Sequence, residues 1–361
     1  MVSNKYCIIM AGGVGSRFWP LSKNNYPKQF LDILGTGKSF IRATYERFLP
    51  LVPPENFIVV TNAAYKDLVL QQLPEIKEGN VLCEPMRRNT APCIAYAVYH
   101  ILSQCPKASI AVTPADHLVT NEVEFQHIIG RGLDFVEQHR DALMTIGIRP
   151  SRPETGYGYI EVATKPGDDI VPVASFKEKP DLETAKQFLA AGNFFWNSGI
   201  FLWSTDAIMD AFRHYLPDLV RLFDEGKDKF GTSQEQAFIN TQFERCENIS
   251  IDYGVMERVV NVNATEESER LSMHTVAADF GWSDIGTWGS LYTHAAHDNA
   301  QNAVSGHAVI VDTANSVVNI ENGYEAIVQG LDHCLVALRD HSLLVCRLDD
   351  EQQIKHWVEK L

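Results

Sequence analysis

Apolar residues along the first 150 positions fall into short runs separated by amphipathic stretches. Tyr6 to Met10, FIVVT at 57–61, NVLCEP at 80–85, ASIAVT at 108–113 and ALMTIGI at 142–148 are too short for helices or membrane spans and suit buried strands. Helical patterns lie between them. Ser39 stands where it can cap a helix through about Leu49, and a second helix runs to about Leu73 after the break at Pro53-Pro54. Thr90 is expected to cap a third, through about Ser103 with Pro92 in its first turn, and a fourth covers 121–138. Strands alternating with helices predict an α/β fold with a largely parallel, doubly wound, Rossmann-like sheet. Ligands of such sheets gather at the carboxyl ends of the strands, where Gly12, Glu84 and Asp116 fall.

The second half is less regular. VASFKEKPD at 173–181 alternates as a strand until Lys177, Asp181 is placed to cap a helix ending near Gly192, and NFFWNSGIFLW at 193–203 reads as a strand interrupted at Asn197-Ser198-Gly199. Helical patterns continue to about Phe243, and a short helix to about Val259 follows Ser250 to Tyr253. The small, polar stretch HDNAQNAVSG at 297–306 reads as a linker, which divides the chain into a domain over 1–296 and a C-terminal domain over 297–361. The latter holds short β-rich runs at roughly regular spacing and a terminal helix, which suggests β-helix-like coils or a small sheet.

The 361 residues carry 31 Lys and Arg against 46 Asp and Glu, a net charge of −15 that disfavours a nucleic-acid surface and makes local cations informative. These gather at 17–28, at Arg87-Arg88 and at Lys177 and Lys179. The seven cysteines form no CxxC pair, so they read as free thiols in a reducing cytoplasm, and no apolar stretch is long enough for a signal or membrane segment.

The sharpest chemical signal follows the first strand. Gly12, Gly13 and Gly15 free the backbone to bring N–H groups close to an anion, and Ser16, Arg17, Lys23 and Lys28 add donors and positive charge. On its own the stretch is equally a tight strand-to-helix connection. A P-loop would need Lys and Ser or Thr after Gly15, where Ser16-Arg17 stand; a dinucleotide fingerprint would need a third glycine, where Phe18 stands, which disfavours an NAD-type oxidoreductase.

AGGVGSRFWPLS with PKQF resembles the signature of the sugar-1-phosphate nucleotidyltransferases, most closely the mannose-1-phosphate guanylyltransferase branch. EPMRRNTAP, TPADH, GYGYI, FKEKP, WNSGIF, SIDYGVME and GWSDIGTW follow in the expected order, so the resemblance spans essentially the whole chain. It implies a GT-A-like mixed sheet and transfer of GMP from GTP to mannose 1-phosphate, giving GDP-mannose and pyrophosphate. Two polyanions meet in such a reaction, which favours charge neutralisation and positioning over a protein nucleophile.

By resemblance Ala11, Gly12, Gly13, Gly15 and Ser16 would cradle the triphosphate, with Arg17 and Lys28 countering its charge. Glu84, Asn89, Thr90, Pro114 and Ala115 would meet base and ribose. Gly158, Glu178, Asn197 and Asp252 would line the sugar pocket, Lys179 would hold the sugar phosphate, and Asp116 and Asp284 would share Mg²⁺ or another divalent cation. Taken singly, Asp116 and Asp284 read equally as a cap and a turn anchor, which Asn would replace with little loss of stability. The resemblance also leaves room for a homodimer through the C-terminal domain, for another sugar-1-phosphate substrate and for an inactive regulatory paralogue. Some relatives carry a fused isomerase domain, for which the residues after the linker are too few.

Overall fold

The computed structural model describes residues 3–163, 169–262 and 271–361. Among the described residues the strands, in chain order, are β1 Lys5–Ala11, β2 Phe57–Asn62, β3 Val81–Glu84, β4 Ser109–Pro114, β5 Leu118–Val119, β6 Ala142–Ile148, β7 Tyr159–Val162, β8 Val171–Lys177 and β9 Phe194–Ser204, then β10 Ser272–Ala278, β11 Trp282–Ser283, β12 Ala303–Ser305, β13 Ala308–Val311, β14 Val317–Ile320, β15 Ala326–Gln329, β16 Cys334–Arg339 and β17 Ser342–Arg347. Contacts divide the chain into two units. One comprises 1–12, 45–115 and 119–282; the other comprises 13–44, 116–118 and 283–361.

The first unit is built on a nine-stranded sheet of order β3-β2-β1-β4-β9-β6-β10-β8-β7. Its first four strands are parallel, as the alternation of strands and helices predicts. Beyond β4 the sheet departs from the expectation of a largely parallel one. β9 lies antiparallel to both β4 and β6, β6 pairs parallel with β10, and β7 and β8 close the edge antiparallel. An apolar run fixes burial but not direction: β9 enters after the helix Leu182–Ala191 from the opposite end, and its side chains are buried in either sense.

β9 is one continuous strand, and the break expected at Asn197 is a bulge. Thr145 pairs with Phe201 but Gly147 pairs with Asn197, and Gly199 takes φ 71°, which an L side chain adopts at a cost. The helix Leu182–Ala191 begins at Asp181, whose carboxylate accepts from Thr184 N, and ends at left-handed Gly192, both as the sequence predicts. The helix Thr90–Gln104 differs: Asn89, not Thr90, is its cap, and the Thr90 hydroxyl instead accepts from Ile251 N at 2.9 Å.

The second unit has its own apolar core, in which Phe18, Leu21, Leu31, Ile33 and Phe40 pack with Ile285, Trp288, Val317, Leu335 and Ile354. Its strands form a four-stranded sheet, β12-β14-β16-β17, parallel except for its last pair, and the parallel pair β13-β15. Gly306 turns the chain between them at φ 87°, and a Cβ there would lie 1.9 Å from the Ile320 carbonyl oxygen, a backbone atom that cannot swing away. Gly306→Ala is therefore expected to lower unfolding free energy by about 3 kcal/mol, a left-handed φ and a backbone clash acting together, measurable by urea denaturation. An unchanged midpoint would show that this turn relaxes freely.

Candidate active site

In the second unit the chemistry condenses around one ammonium. Lys28 is 3 % exposed, and its Nζ donates to the Asp116 carboxylate at 3.0 Å, to the Asp116 carbonyl at 2.9 Å and to the Asp284 carbonyl at 2.7 Å. Residues 28, 116 and 284, widely separated in sequence, thus meet at a point. A lysine has three N–H donors, and all three are engaged. The Phe18 and Phe40 rings stand 5.8 and 5.0 Å from the same nitrogen. Loss of hydration pushes the Asp116 carboxyl up, but Lys28 and His117 outweigh it and hold the group below its ordinary value. The Asp284 carboxylate accepts from Gly286 N at 3.1 Å. Asp116 is therefore more than a cap: it is the counter-charge of a buried lysine.

The glycine-rich loop lies against the same lysine. Gly15 sits at φ 71°, and a Cβ there would fall 2.5 Å from the Lys28 Cβ, so the close approach excludes any larger residue. Gly13 and Arg17 are exposed, while Val14, Gly15 and Ser16 are half-buried.

Two further clusters belong to the first unit. At the end of β3, Glu84 is 5 % exposed, and its Oε1 is buried without a hydrogen-bond partner. Burial pushes its carboxyl up to about 8, against smaller opposing pulls from the Cys93 thiol and Arg87. Gly12, just past buried Ala11, passes above it, since a Cβ on Gly12 would stand 3.4 Å from Glu84 Oε2. Pro114 ends β4, and buried Ala115 donates its N–H to Met10 O at 3.0 Å. Asn89 spends its side-chain oxygen on Thr90 N.

All five residues named for the sugar pocket converge. Asn197 donates from Nδ2 to Asp252 at 2.9 Å and from its backbone N–H to Gly158 O at 2.8 Å. A Cβ on Gly158 would lie 2.5 Å from Glu178 Oε2, which is buried and unpartnered; Glu178 Oε1 is 2.9 Å from Lys179 Nζ. Burial and then the Glu178 charge lift Asp252 to about 7, while Asn197 and Lys179 pull the other way. Lys179 holds φ 45°, a strained conformation that its backbone bond to Tyr157 O helps to fix. Tyr157 meets Trp196 and Trp282 edge-on, each 5.3 Å between centroids. Sequence reasoning missed Thr145, whose hydroxyl stands 2.8 Å from Asn197 Oδ1 and, with Gly199 N, turns the amide nitrogen toward Asp252. A lone threonine inside an apolar strand carries no signal of that role.

This arrangement, a glycine loop beside a buried lysine–aspartate pair and a separate carboxylate-amide pocket, suits the handling of phosphates and hydroxyls. Residues 6–301 match the family model described as nucleotidyl transferase, and the chain belongs to that family. Among its relatives is the mannose-1-phosphate guanylyltransferase of Escherichia coli strain K12, 34 % identical over 99 % of this chain and 74 % of that protein. The RfbM mannose-1-phosphate guanylyltransferase of Salmonella typhimurium strain LT2 is 32 % identical over 98 % of this chain and 72 % of its own length. A crystal structure from Thermus thermophilus, described as a mannose-1-phosphate geranyltransferase, superposes with a TM-score of 0.84 at 29 % identity, covering 99 % of both chains.

The buried Glu84 generates a pH prediction. Its native carboxyl titrates near 8 against an ordinary 4.5, so between these values the native state keeps a proton that the unfolded chain has lost. Stability should then fall as pH rises from about 5 to 8, by on the order of 3 kcal/mol, and Glu84→Gln should remove that slope. Parallel urea melts of the two proteins at the two pH values check it; equal slopes would show that Glu84 is ionised throughout.

Proposed function

We propose that this chain transfers GMP from GTP to α-D-mannose 1-phosphate, giving GDP-mannose and pyrophosphate. The convergence of Lys28, Asp116 and Asp284 carries the reading, because it brings the Asp116 carboxylate and the Asp284 backbone to one buried cation beside a glycine loop suited to a triphosphate. In the proposed reaction an oxygen of the sugar phosphate attacks the α-phosphorus and pyrophosphate leaves in line. Gly12, Gly13, Gly15, Ser16 and Arg17 hold and neutralise the triphosphate. Glu84, whose unpartnered Oε1 suits an N–H donor, serves the nucleoside. Glu178, Asn197 and Asp252 bind sugar hydroxyls, and Lys179 binds the sugar phosphate.

Asp116 and Asp284 would hold Mg²⁺ or a similar divalent cation through their hard carboxylate oxygens. Such an ion would supply charge stabilisation at the reacting phosphates. Its fit rests on the donor chemistry and on the meeting of both residues at Lys28.

The strand pairs β12-β14-β16 and β13-β15 read as coils of a short β-helix-like stack within a C-terminal domain over 297–361. Exposed Val309 and Ile327, opposite one another on β13 and β15, favour a homodimer through it. No helix among the described residues is long and apolar enough to cross a membrane. With the described cysteines free, we assign the protein to the cytoplasm and to partners other than nucleic acid or membrane.

Pyrophosphate release measured across nucleotides and sugar phosphates should be fastest with GTP and mannose 1-phosphate; a faster rate with ATP or UTP sinks the assignment. Two variants separate chemistry from stability. Asp284→Asn keeps the carbonyl that Lys28 uses, so it should melt like wild type and lose about a hundredfold or more in turnover. Asp116→Asn should lose turnover and also about 1–2 kcal/mol of stability, since it strands a buried ammonium; the figure is kept low because a third of the aspartate side chain meets water. That cost corrects the expectation that Asn would be neutral at position 116. Near-wild-type turnover of Asp284→Asn at limiting Mg²⁺ removes its carboxylate from the mechanism.

A further inference from the structure

Three successive carbonyls of the glycine-rich loop are turned into the protein. Gly13 O accepts from Gln29 Nε2 at 3.0 Å, Val14 O from Lys28 N at 3.1 Å and from the Ser22 hydroxyl, and Gly15 O from Phe18 N at 3.0 Å. These peptide bonds are trans, Trp19-Pro20 being the cis bond among the described residues. Across a trans peptide the C=O of one residue and the N–H of the next point in opposite directions. The N–H groups of Val14, Gly15 and Ser16 therefore point away from Gln29, Ser22 and Phe18. Among the described residues none of the three donates a hydrogen bond. A row of outward N–H groups is a concavity for an anion.

We propose that Gln29 and Ser22 are positioning residues that set the phosphate affinity of this loop without touching the ligand. Each is 2 % exposed, sealed beneath the backbone it holds. Gln29 lies one residue beyond Lys28, so a single short segment supplies both the buried cation and the amide that orients the loop. The ligand class is a polyphosphate chain, and the proposal rests on the reading of this loop as the triphosphate site.

Calorimetric titration with inorganic tripolyphosphate tests it, alongside thermal melts and the KM of each substrate. In Gln29→Leu and Ser22→Ala the Kd for tripolyphosphate and the KM for GTP should rise about tenfold, as for a lost hydrogen bond at a buried carbonyl, while the KM for mannose 1-phosphate stays level. If Gln29→Leu does not fold, Ser22→Ala carries the test. An unchanged Kd in a folded variant overturns the proposal, and so does an equal rise in both KM values or a wild-type protein that binds no tripolyphosphate. Wild-type binding of tripolyphosphate, weakened in the variants but without turnover of GTP, upholds the role of the two residues and removes only the assigned reaction.

Discussion

A lysine ammonium buried away from water is tolerable only if its charge and all its donors are answered, and Lys28 meets that demand with atoms from two distant segments. Asp116 contributes a carboxylate and a carbonyl, Asp284 a carbonyl. Leaving any one unanswered would cost more than a typical surface ion pair contributes. The requirement fixes the turn after β4 and the bend at 283–286 against the segment that follows the glycine loop. It also means that Lys28 enters any reaction already committed: it keeps Asp116 ionised, and an incoming phosphate must compete with three good acceptors.

The pocket around Asn197 follows a different logic. Burial and the neighbouring Glu178 charge raise the cost of ionising Asp252, Glu178 keeps an unanswered buried oxygen, and a single exposed lysine stands against the two carboxylates. Such a site has more acceptors than donors, the complement of a polyol. Its rigidity comes from the backbone. The β9 bulge aims Asn197, Gly158 leaves room for Glu178, and the strained φ of Lys179 sets its direction.

Much of this could be read from the chain. Periodicity located the strands, Asp181 and Gly192 announced a helix's two ends, and the ordered motifs named the residues that the structure gathers into clusters. What stayed hidden has a common cause. Strand direction, the exchange of capping between Asn89 and Thr90, and the orienting hydroxyl of Thr145 depend on partners far away in sequence. The same holds for Asp116, where a carboxylate after a strand looks like a cap until a lysine 88 residues earlier is found against it. Local pattern reports what a residue is able to do; its partner decides what it does.

The second unit is stitched from three stretches, and its core joins Phe18, Leu21 and Phe40 to residues beyond 283. During synthesis the early stretch leaves the ribosome roughly 240 residues before its companions exist, a wait of roughly 20 seconds at ordinary elongation rates. Through that interval its apolar side chains lack the partners that lie beyond residue 283. The glycine-rich loop, carried on this stretch, is thus among the first parts of the chain to be made and among the last to take its final shape, so a nascent chain cannot acquire the second unit's Lys28 cluster until translation has passed Asp284.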